Sequence, residues 1–447
     1  MHDLIVIGAG PGGYEAAAHA GELGKSVLLV EAGSLGGACL NVGCIPAKVF
    51  LRSSRLYREC TEAGPFGVRV AGASFDVPVV VERKNRIVAV LKRGVEAKLK
   101  GAGVEVVIGR ARLVDRHLVQ VGDDRLEAEN VLIATGSRPA VPPIPGIGAE
   151  HVLDSDRVFD VAKVPSSIAI IGGGYIGLEL ATYFREAGAE VAVFEMLPQI
   201  AANCDREVSA KLLQALQRSG IEFHLSCRVL SVEEGVLRYD DGSGTERTHA
   251  AERILNATGR APVVAGLGLE EVGIDFSVAG IRITDRGEAS VPGLWACGDV
   301  TGQHMLAHAA TREGIVAVNS MFGIPDRIRY EAIPAVIYTH PEVAMAGRTE
   351  AELTRAGIPF RKATVPMGVA GRFLIENEGG GGFVKVLVGA RGGEILGVHA
   401  VGDSSSEFIV AASALIETAL TARQAAEVVF PHPTVSEALR EAILKVG

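Results

Sequence analysis

Residues 4–13 read Leu-Ile-Val-Ile-Gly-Ala-Gly-Pro-Gly-Gly and carry the strongest fold signal of the chain. Its apolar half is typical of a strand that is buried on both faces, and its glycine half is typical of a tight turn that opens a helix. The three glycines with the required spacing are Gly8, Gly10 and Gly13. A helix is predicted over residues 14–23, followed by an apolar strand over 27–30 that ends in Glu31. Together they predict a βαβ unit that binds a dinucleotide, with the pyrophosphate at the helix N-terminus and a ribose hydroxyl on Glu31. The alternative is a glycine-rich turn that binds nothing.

The same pattern recurs in the middle of the chain. An apolar strand over 167–171 leads into a second glycine turn, and a strand over 191–194 ends in Glu195. The corresponding glycines are Gly172, Gly174 and Gly177. Glu31 lies 18 residues after Gly13, and Glu195 lies 18 residues after Gly177. Two such units predict two bound dinucleotides. Because a carboxylate accepts hydrogen bonds from a free 2′-hydroxyl and no arginine follows Glu195, the second unit favours NAD over NADP.

Cys39 and Cys44 follow the first unit in a glycine-rich stretch. In a regular helix, Cα atoms five residues apart are about 8–9 Å from each other, whereas a disulfide tolerates about 7 Å at most. We therefore expect a distorted turn, which Gly43 and Pro46 would permit. Buried free cysteines and half of a metal site are the alternatives, but no other close Cys or His pair supplies the remaining ligands. We predict a redox-active disulfide beside a flavin, since a mediator must pass electrons between a nicotinamide and sulfur.

The second half of the chain adds two candidate sites. Asp299 follows a short apolar strand and could accept a hydrogen bond from a ribityl chain, although a simple turn would also place an Asp there. His432 lies between two prolines, with Glu437 at the start of the next helix, and a His oriented by a carboxylate is a general acid–base pair. His304 and His308 have a spacing that suits a metal, but no third ligand joins them, so no metal site is predicted.

The composition indicates a large α/β protein. Its 447 residues predict two to four domains, and 55 glycines with 48% hydrophobic residues suit strands and helices joined by glycine turns. A net charge of −9 without a basic block argues against nucleic acid as a partner. The N-terminus has no positively charged leader, and no apolar run is long enough to cross a bilayer, which predicts a cytoplasmic protein with no membrane partner.

A proline cluster at 139–145 marks a domain boundary. Helix is predicted over 50–105, most clearly over 79–101. The C-terminal block alternates like an antiparallel sheet and then predicts helices over 406–420 and 422–429.

These motifs together resemble the flavin-dependent pyridine nucleotide–disulfide oxidoreductases over nearly the whole chain. They comprise the two glycine fingerprints, G-G-x-C-L-N-V-G-C-I-P-x-K at 36–48, A-T-G-R at 257–260 and H-P-T-x-S-E at 432–437. The resemblance implies an α/β fold with two Rossmann-like domains and a C-terminal α+β dimerisation domain. The implied bounds are 1–145 with 266–330 for FAD, 146–265 for NAD, and 331–447 for the dimer interface. It also implies a homodimer.

Within that family the motifs are most similar to those of members that oxidise protein-bound dihydrolipoyl groups with NAD. The implied partner is a separate lipoyl-bearing protein of a 2-oxoacid dehydrogenase or glycine-cleavage system. One alternative is a disulfide reductase of the same family that acts on a small thiol. The other is a non-catalytic subunit of a 2-oxoacid dehydrogenase assembly, against which the retained cysteine pair argues.

The resemblance also assigns roles to residues. Cys39 is the thiol that meets the substrate, and Cys44 is the thiol beside the flavin ring. Lys48 contacts the flavin and pairs with Glu179, while His432, oriented by Glu437, acts in the active site of the opposite subunit. The implied FAD contacts are Gly8, Gly10, Gly13, Glu31, Gly37, Cys39, Lys48, Ala111, Thr135, Gly136, Ser137, Asp299, Met305, Leu306, Ala307 and His308. The implied NAD contacts are Gly172, Gly174, Tyr175, Ile176, Gly177, Glu179, Glu195, Val229 and Gly259.

Overall fold

The computed structural model describes all 447 residues. The N-terminal part builds a sheet in the order β3-β2-β1-β6-β5-β4, whose β3-β2-β1-β6 portion is parallel and whose β6-β5-β4 portion is antiparallel. Its elements are β1 (His2–Ile7), α1 (Pro11–Glu22), β2 (Val27–Glu31), α2 (Gly37–Asn41), α3 (Cys44–Thr61), α4 (Val77–Gly101), β3 (Glu105–Ile108), β4 (Ala111–Asp115), β5 (Leu118–Val121), β6 (Asp124–Ile133) and β7 (Ser137–Pro139). Residues 4–7 of the central strand β1 are apolar and buried, as is typical of a parallel strand covered on both faces.

The middle of the chain forms a second parallel sheet, in the order β11-β10-β9-β15-β8, and a separate antiparallel meander, β12-β13-β14. Its elements are β8 (Val152–Asp154), β9 (Ser167–Ile171), α5 (Tyr175–Glu186), β10 (Glu190–Phe194), α6 (Arg206–Arg218), β11 (Ile221–His224), β12 (Arg228–Glu233), β13 (Val236–Asp240), β14 (Glu246–Ala250), β15 (Arg253–Asn256) and β16 (Arg260–Pro262). The β9-α5-β10 unit repeats β1-α1-β2, as the two glycine fingerprints predict.

The chain then returns to the first sheet and finally forms a third one. The returning elements are α7 (Leu269–Val272), β17 (Phe276–Ser277), β18 (Gly280–Ile281), β19 (Leu294–Ala296) and α8 (Ala307–Met321). Strand β19 pairs in parallel with β6, so the first sheet is completed by residues far away in sequence. Helix α8 packs on α1, where a Cβ on Gly314 would lie 2.6 Å from the carbonyl oxygen of Gly12.

The C-terminal part is an antiparallel sheet, in the order β20-β21-β24-β23-β22, covered by helices. Its elements are β20 (Ala335–Ile337), β21 (Val343–Gly347), α9 (Glu350–Arg355), β22 (Phe360–Pro366), α10 (Gly371–Glu376), β23 (Phe383–Gly389), β24 (Ile395–Val401), α11 (Ser405–Glu417), α12 (Ala422–Ala425) and α13 (Glu437–Val446). The expected fold class, two Rossmann-like units and an α+β block, is confirmed.

Two helix predictions are wrong in extent. The 50–105 stretch is two helices, α3 and α4, separated by a loop, because Gly64, Pro65 and Gly67 interrupt it. The helix predicted over 422–429 ends at Ala425. No helix is both long and apolar enough to span a bilayer.

Candidate active site

The first glycine fingerprint forms a turn that only glycine allows. Gly8 has φ +104°, and a Cβ there would lie 2.4 Å from the carbonyl oxygen of Ala134. A Cβ on Gly13 would lie 1.9 Å from the carbonyl oxygen of Gly8, so α1 approaches the strand end very closely. Gly10 differs, because the nearest atom to its added Cβ would be the Cα of Gly37, 4.0 Å away. A side chain therefore has no room at Gly8 or Gly13, whereas the space beside Gly10 is open. A phosphate group can approach the backbone there.

The second fingerprint repeats this arrangement. Gly172 has φ +111°, with 2.4 Å between an added Cβ and the carbonyl oxygen of Ala257. A Cβ on Gly177 would lie 2.0 Å from the Gly172 oxygen, whereas one on Gly174 would meet nothing within 4 Å. Two separate stretches of sequence thus build the same cradle at the end of a parallel strand.

A carboxylate closes each unit. Glu31 accepts hydrogen bonds from the backbone N–H groups of Ala9 (2.7 Å) and Gly33 (2.6 Å). Glu195 accepts them from Gly173 (2.6 Å) and Leu197 (2.7 Å). These contacts fix both carboxylates beside the glycine turns, in the position that binds the ribose of a dinucleotide.

A cavity of about 590 Å³ runs from the first glycine turn to the cysteine pair. It is lined by most of the residues that the sequence predicts for a flavin site, and also by three predicted nicotinamide contacts on α5. The predicted residues that line it are Gly8, Gly10, Glu31, Gly37, Cys39, Cys44, Lys48, Ala111, Thr135, Gly136, Ser137, Asp299, Met305, Leu306, Ala307, Tyr175, Ile176 and Glu179. The two predicted cofactor sites therefore meet where α5 borders this cavity.

Other predicted residues lie outside the cavity. Most belong to the second glycine unit or to the C-terminal block: Gly13, Gly172, Gly174, Gly177, Glu195, Val229, Gly259, His308, His432 and Glu437. The His308 ring instead approaches the carbonyl oxygen of Pro334, at 2.7 Å from Nε2. Sequence reasoning missed Arg110 and Phe159, which line the cavity but belong to no motif. It also gave no role to Asn41, which lines the cavity and lies within the cysteine motif at 36–48.

The cysteine pair lies on a broken helix, as the distance argument requires. Cys39 belongs to α2, which ends at Asn41, and Cys44 is the first residue of α3. Between them Gly43 adopts φ −123° and ψ −108°, which no helix contains. A Cβ on Gly37 would lie 2.6 Å from the Cα of Gly10, so the start of α2 packs directly on the first glycine turn. This contact places the cysteine stretch beside the open side of the cradle.

In the dithiol form of the pair, the two cysteines lie in different environments. A hydrogen bond from Cys39, together with the nearby Lys48 ammonium, lowers the pKa of Cys44 to about 7 in spite of its partial burial. The N-terminal position of Cys44 on α3 suits a thiolate as well. The same hydrogen bond, with burial, raises the pKa of Cys39. The first thiolate of the reduced pair therefore forms on Cys44 and not on Cys39.

An ion pair stands next to the thiols. The Lys48 ammonium donates to Glu179 Oε1 at 3.0 Å and to Oε2 at 2.8 Å. Glu179 also accepts from the backbone N–H of Tyr338 at 3.0 Å, and Lys48 lies 4.3 Å from the centre of the Tyr338 ring. The pair predicted from the resemblance is thus present. It joins α3, α5 and the residue that directly follows β20, which come from all three parts of the chain.

A polar bridge joins the first two sheets at the other wall of the cavity. Arg260 donates from Nε to Ser137 Oγ at 2.8 Å and pairs with Asp156 Oδ1 at 3.1 Å. Ser137 in turn donates to Asp299 Oδ2. Antiparallel pairing of β7 with β16 carries this bridge. Asp299 therefore lines the cavity in a fixed orientation.

His432 and Glu437 form the predicted dyad at the surface. His432 Nδ1 lies 2.9 Å from Glu437 Oε1, and the backbone N–H of Thr434 donates to Glu437 Oε2 at 3.1 Å. The hydrogen bond from His432 lowers the pKa of Glu437. The His432 side chain is 78% exposed and does not line the cavity of its own chain. The dyad is oriented for proton transfer but faces outward.

The comparisons with known proteins agree with this site. A family model described as pyridine nucleotide-disulphide oxidoreductase matches residues 2–314, and the dimerisation-domain model of the same family matches residues 333–443. "Dihydrolipoyl dehydrogenase 3" of Pseudomonas aeruginosa is 40% identical, over 100% of this chain and 98% of the relative. The dihydrolipoyl dehydrogenase of Geobacillus stearothermophilus is 36% identical, over 98% of this chain and 95% of the relative.

Solved structures show the same fold. LpdA from Mycobacterium tuberculosis superposes with a TM-score of 0.91 at 25% identity, covering 99% of each chain. The flavoprotein disulfide reductase RclA from Escherichia coli, in its Cu(II) complex, superposes with a TM-score of 0.88 at 25% identity, covering 100% of this chain and 99% of that chain. With two dinucleotide cradles, a cysteine pair between them and these full-length matches, the chain belongs to the pyridine nucleotide-disulphide oxidoreductase family.

Proposed function

We propose that the protein oxidises dihydrolipoyl groups carried by a partner protein and passes the electrons to NAD. Full-length similarity to proteins named dihydrolipoyl dehydrogenase is the observation that carries this proposal. The expectation of an NAD-dependent disulfide oxidoreductase with FAD and NAD as cofactors is confirmed by membership of the family. The open space above Gly10 and Gly174 fits both groups.

The cysteine pair performs the thiol chemistry. In the oxidised enzyme a substrate thiolate attacks Cys39 Sγ, which breaks the Cys39–Cys44 bond and releases Cys44 as a thiolate. The second substrate thiolate then attacks the substrate sulfur of the mixed disulfide, which closes the lipoyl ring and releases Cys39. The substrate loses two electrons, and the cysteine pair gains them. A leaving thiol of low pKa departs faster, so the lowered pKa of Cys44 favours the first step.

The neighbouring groups would hold the cofactors and stabilise the thiolate. When bound, FAD supplies the two-electron carrier that links the dithiol to NAD. Residues along the cavity, including Gly10, Ser137 and Asp299, would hold it. Lys48, fixed by Glu179, places a positive charge beside the site where the Cys44 thiolate forms. The second glycine unit, closed by Glu195, would hold NAD.

His432, the proposed proton acceptor for the substrate thiols, does not line the cavity of its own chain. It would therefore have to reach the cavity of a second subunit. We infer a homodimer in which the His432–Glu437 dyad of one subunit completes the site of the other. The dimerisation-domain match supports this arrangement. In this proposal residues 1–145 with 266–330 hold FAD, 146–265 hold NAD, and 331–447 form the interface. Apart from the redox pair Cys39–Cys44, the cysteines are scattered through the chain, which is unlike a secreted disulfide framework, and we propose the cytoplasm as the compartment.

The direct test mixes purified, FAD-loaded protein with dihydrolipoamide and NAD and follows NADH by its absorbance. We expect turnover in the wild type and none in Cys39→Ser, which cannot form the disulfide. A flavin-loaded wild type without turnover would refute the dihydrolipoyl assignment. A colourless protein would instead favour the non-catalytic subunit.

A small-thiol disulfide reductase is the second candidate, since RclA from Escherichia coli is a structural neighbour. The two functions differ in the nucleotide they need. Glu195 is held by two backbone N–H groups and would repel a 2′-phosphate, which favours NAD. NADPH-dependent reduction of a small disulfide that exceeds the dihydrolipoamide reaction would favour the second candidate. Glu195→Arg should then raise activity with NADP relative to NAD in either case.

A further inference from the structure

A group of potential metal ligands lies outside the active site, in the part of the chain that carries the second glycine unit. Glu222 and His224 lie two residues apart on β11, and His249 lies on β14 of the antiparallel meander. Residues two apart in a strand face the same side. One ligand atom from each of the three residues lies within 4.8 Å of the others. We propose that Glu222, His224 and His249 form a binding site for one divalent transition-metal ion, with Zn²⁺ as the fitting ion.

The two imidazole rings are held in place by aromatic neighbours. The Phe194 ring stacks on His224 with 4.5 Å between ring centres and 8° between planes, and it meets the His249 ring edge-on at 5.2 Å. The main chain of His224 is fixed as well, because its carbonyl oxygen accepts from the backbone N–H of Glu195 at 2.8 Å and from the Cys227 thiol at 3.2 Å. A preorganised pair of rings binds a metal without first losing much side-chain entropy.

The nitrogen of His224 that faces the group lacks a hydrogen bond. His224 Nε2 has essentially no solvent-accessible surface and no aligned partner, although Glu222 Oε1 lies 3.0 Å away. The other ring nitrogen, Nδ1, lies 3.5 Å from the Tyr239 hydroxyl. Metal-bound histidines typically present one nitrogen to the ion while the other contacts a hydrogen-bonding group. His224 has this arrangement.

The spacing of the rings suits one ion between them. A metal about 2.1 Å from one nitrogen of each ring would place the ring centres roughly 5 to 6 Å apart. The centres of His224 and His249 are 6.0 Å apart, and the ring planes are inclined by 69°. Two imidazoles and one carboxylate match the ligands of Zn²⁺ and neighbouring transition metals better than those of Mg²⁺ or Ca²⁺. Glu222 is exposed, which leaves a coordination position open to water.

A second group of potential metal ligands is less suited to binding an ion. The carboxylates of Asp205, Glu207 and Glu350 also lie within 4.8 Å of one another. However, the Lys385 ammonium lies at 2.5 Å, 3.1 Å and 2.6 Å from them and already neutralises the group. By contrast, no lysine or arginine forms an ion pair with Glu222. Arg247, which lies on β14 near His249, pairs instead with Asp241 at 2.6 Å.

The test uses tag-free, FAD-loaded enzyme in its oxidised state, because the reduced cysteine pair would itself bind Zn²⁺. Titration calorimetry with Zn²⁺ should show one ion per chain for the wild type. His249→Ala and Glu222→Gln should each weaken binding by about tenfold or more. Glu234→Gln, at an exposed carboxylate in the neighbouring β12–β13 turn, is the matched control and should bind as the wild type does.

A second measurement identifies the ligands. Co²⁺ in place of Zn²⁺ should give visible absorption bands of a site with nitrogen and oxygen ligands, and His249→Ala should remove them while circular dichroism and flavin content stay unchanged. Absence of stoichiometric Zn²⁺ binding to the oxidised wild type would overturn the proposal. So would an affinity that is the same in His249→Ala and Glu222→Gln as in the wild type, since the ion would then lie elsewhere.

Discussion

Replacing Lys48 by methionine should raise the pKa at which the Cys44 thiolate forms. In the reduced enzyme that pKa is lowered to about 7, first by the hydrogen bond from Cys39 and then by the Lys48 charge. Removing one nearby opposite charge raises a pKa by about one unit or more. The hydrogen bond from Cys39 remains in Lys48→Met, so the shift is incomplete. We expect the midpoint to move from about 7 to about 8.

The assay is the pH profile of Cys44 alkylation. Enzyme reduced with dithiothreitol and freed of it without oxygen is labelled briefly with iodoacetamide, and mass spectrometry separates label on Cys44 from label on Cys39. At pH 7 the thiolate fraction falls from about a half to about a tenth when the pKa rises from 7 to 8. The more basic thiolate is also about threefold more nucleophilic. Because these effects partly cancel, the midpoint of the profile is measured and not the rate at one pH.

Arg52→Met is the matched control for Lys48→Met. Arg52 is one helical turn further along α3, is 57% exposed and pairs with Glu59, so its removal should leave the midpoint unchanged. A midpoint that stays near 7 in Lys48→Met would show that the lysine does not stabilise the thiolate. Equal shifts in both variants would show that the net charge of the helix acts, and not the Lys48 position.

Three further outcomes are expected. His432→Gln should lower dihydrolipoamide turnover by about 10²- to 10⁴-fold. NADH oxidation by ferricyanide should stay constant, because it needs no proton transfer from a thiol. Equal losses in both assays would contradict the proton-transfer role. Lys385→Met leaves the buried Asp205 carboxylate uncompensated and should lower the free energy of unfolding by about 3 kcal/mol, against less than about 1 kcal/mol for the half-exposed Lys362→Met, measured by urea denaturation. Gly10→Ala should fold but purify without flavin, because its methyl group points into the open cradle; a full flavin content would show that the cradle does not hold the cofactor.

Much of the fold and of the site follows from local patterns. The two βαβ units are predictable because a buried parallel strand is continuously apolar, and because the first and third glycines of each turn tolerate no Cβ. The break between Cys39 and Cys44 follows from covalent geometry alone, since a regular helix cannot bring their Cα atoms within disulfide distance. The break between α3 and α4 also follows from a local signal, the residues Gly64, Pro65 and Gly67. The end of the short helix α12 at Ala425 is less predictable, because short helices are stabilised mainly by packing.

Local sequence motifs encode the chemical groups of this protein: two nucleotide cradles, a cysteine pair and a His–Glu dyad, each within a few neighbouring residues. Tertiary packing sets the positions of these groups relative to one another. It joins Lys48 to Glu179 across 131 residues, aims Asp299 through Ser137, and leaves His432 facing outward, away from the cavity of its own chain. It also brings His249 to His224, which no motif signals. Such pairs form only when sheets and helices pack, and no local stretch of sequence specifies the distances between residues on different elements.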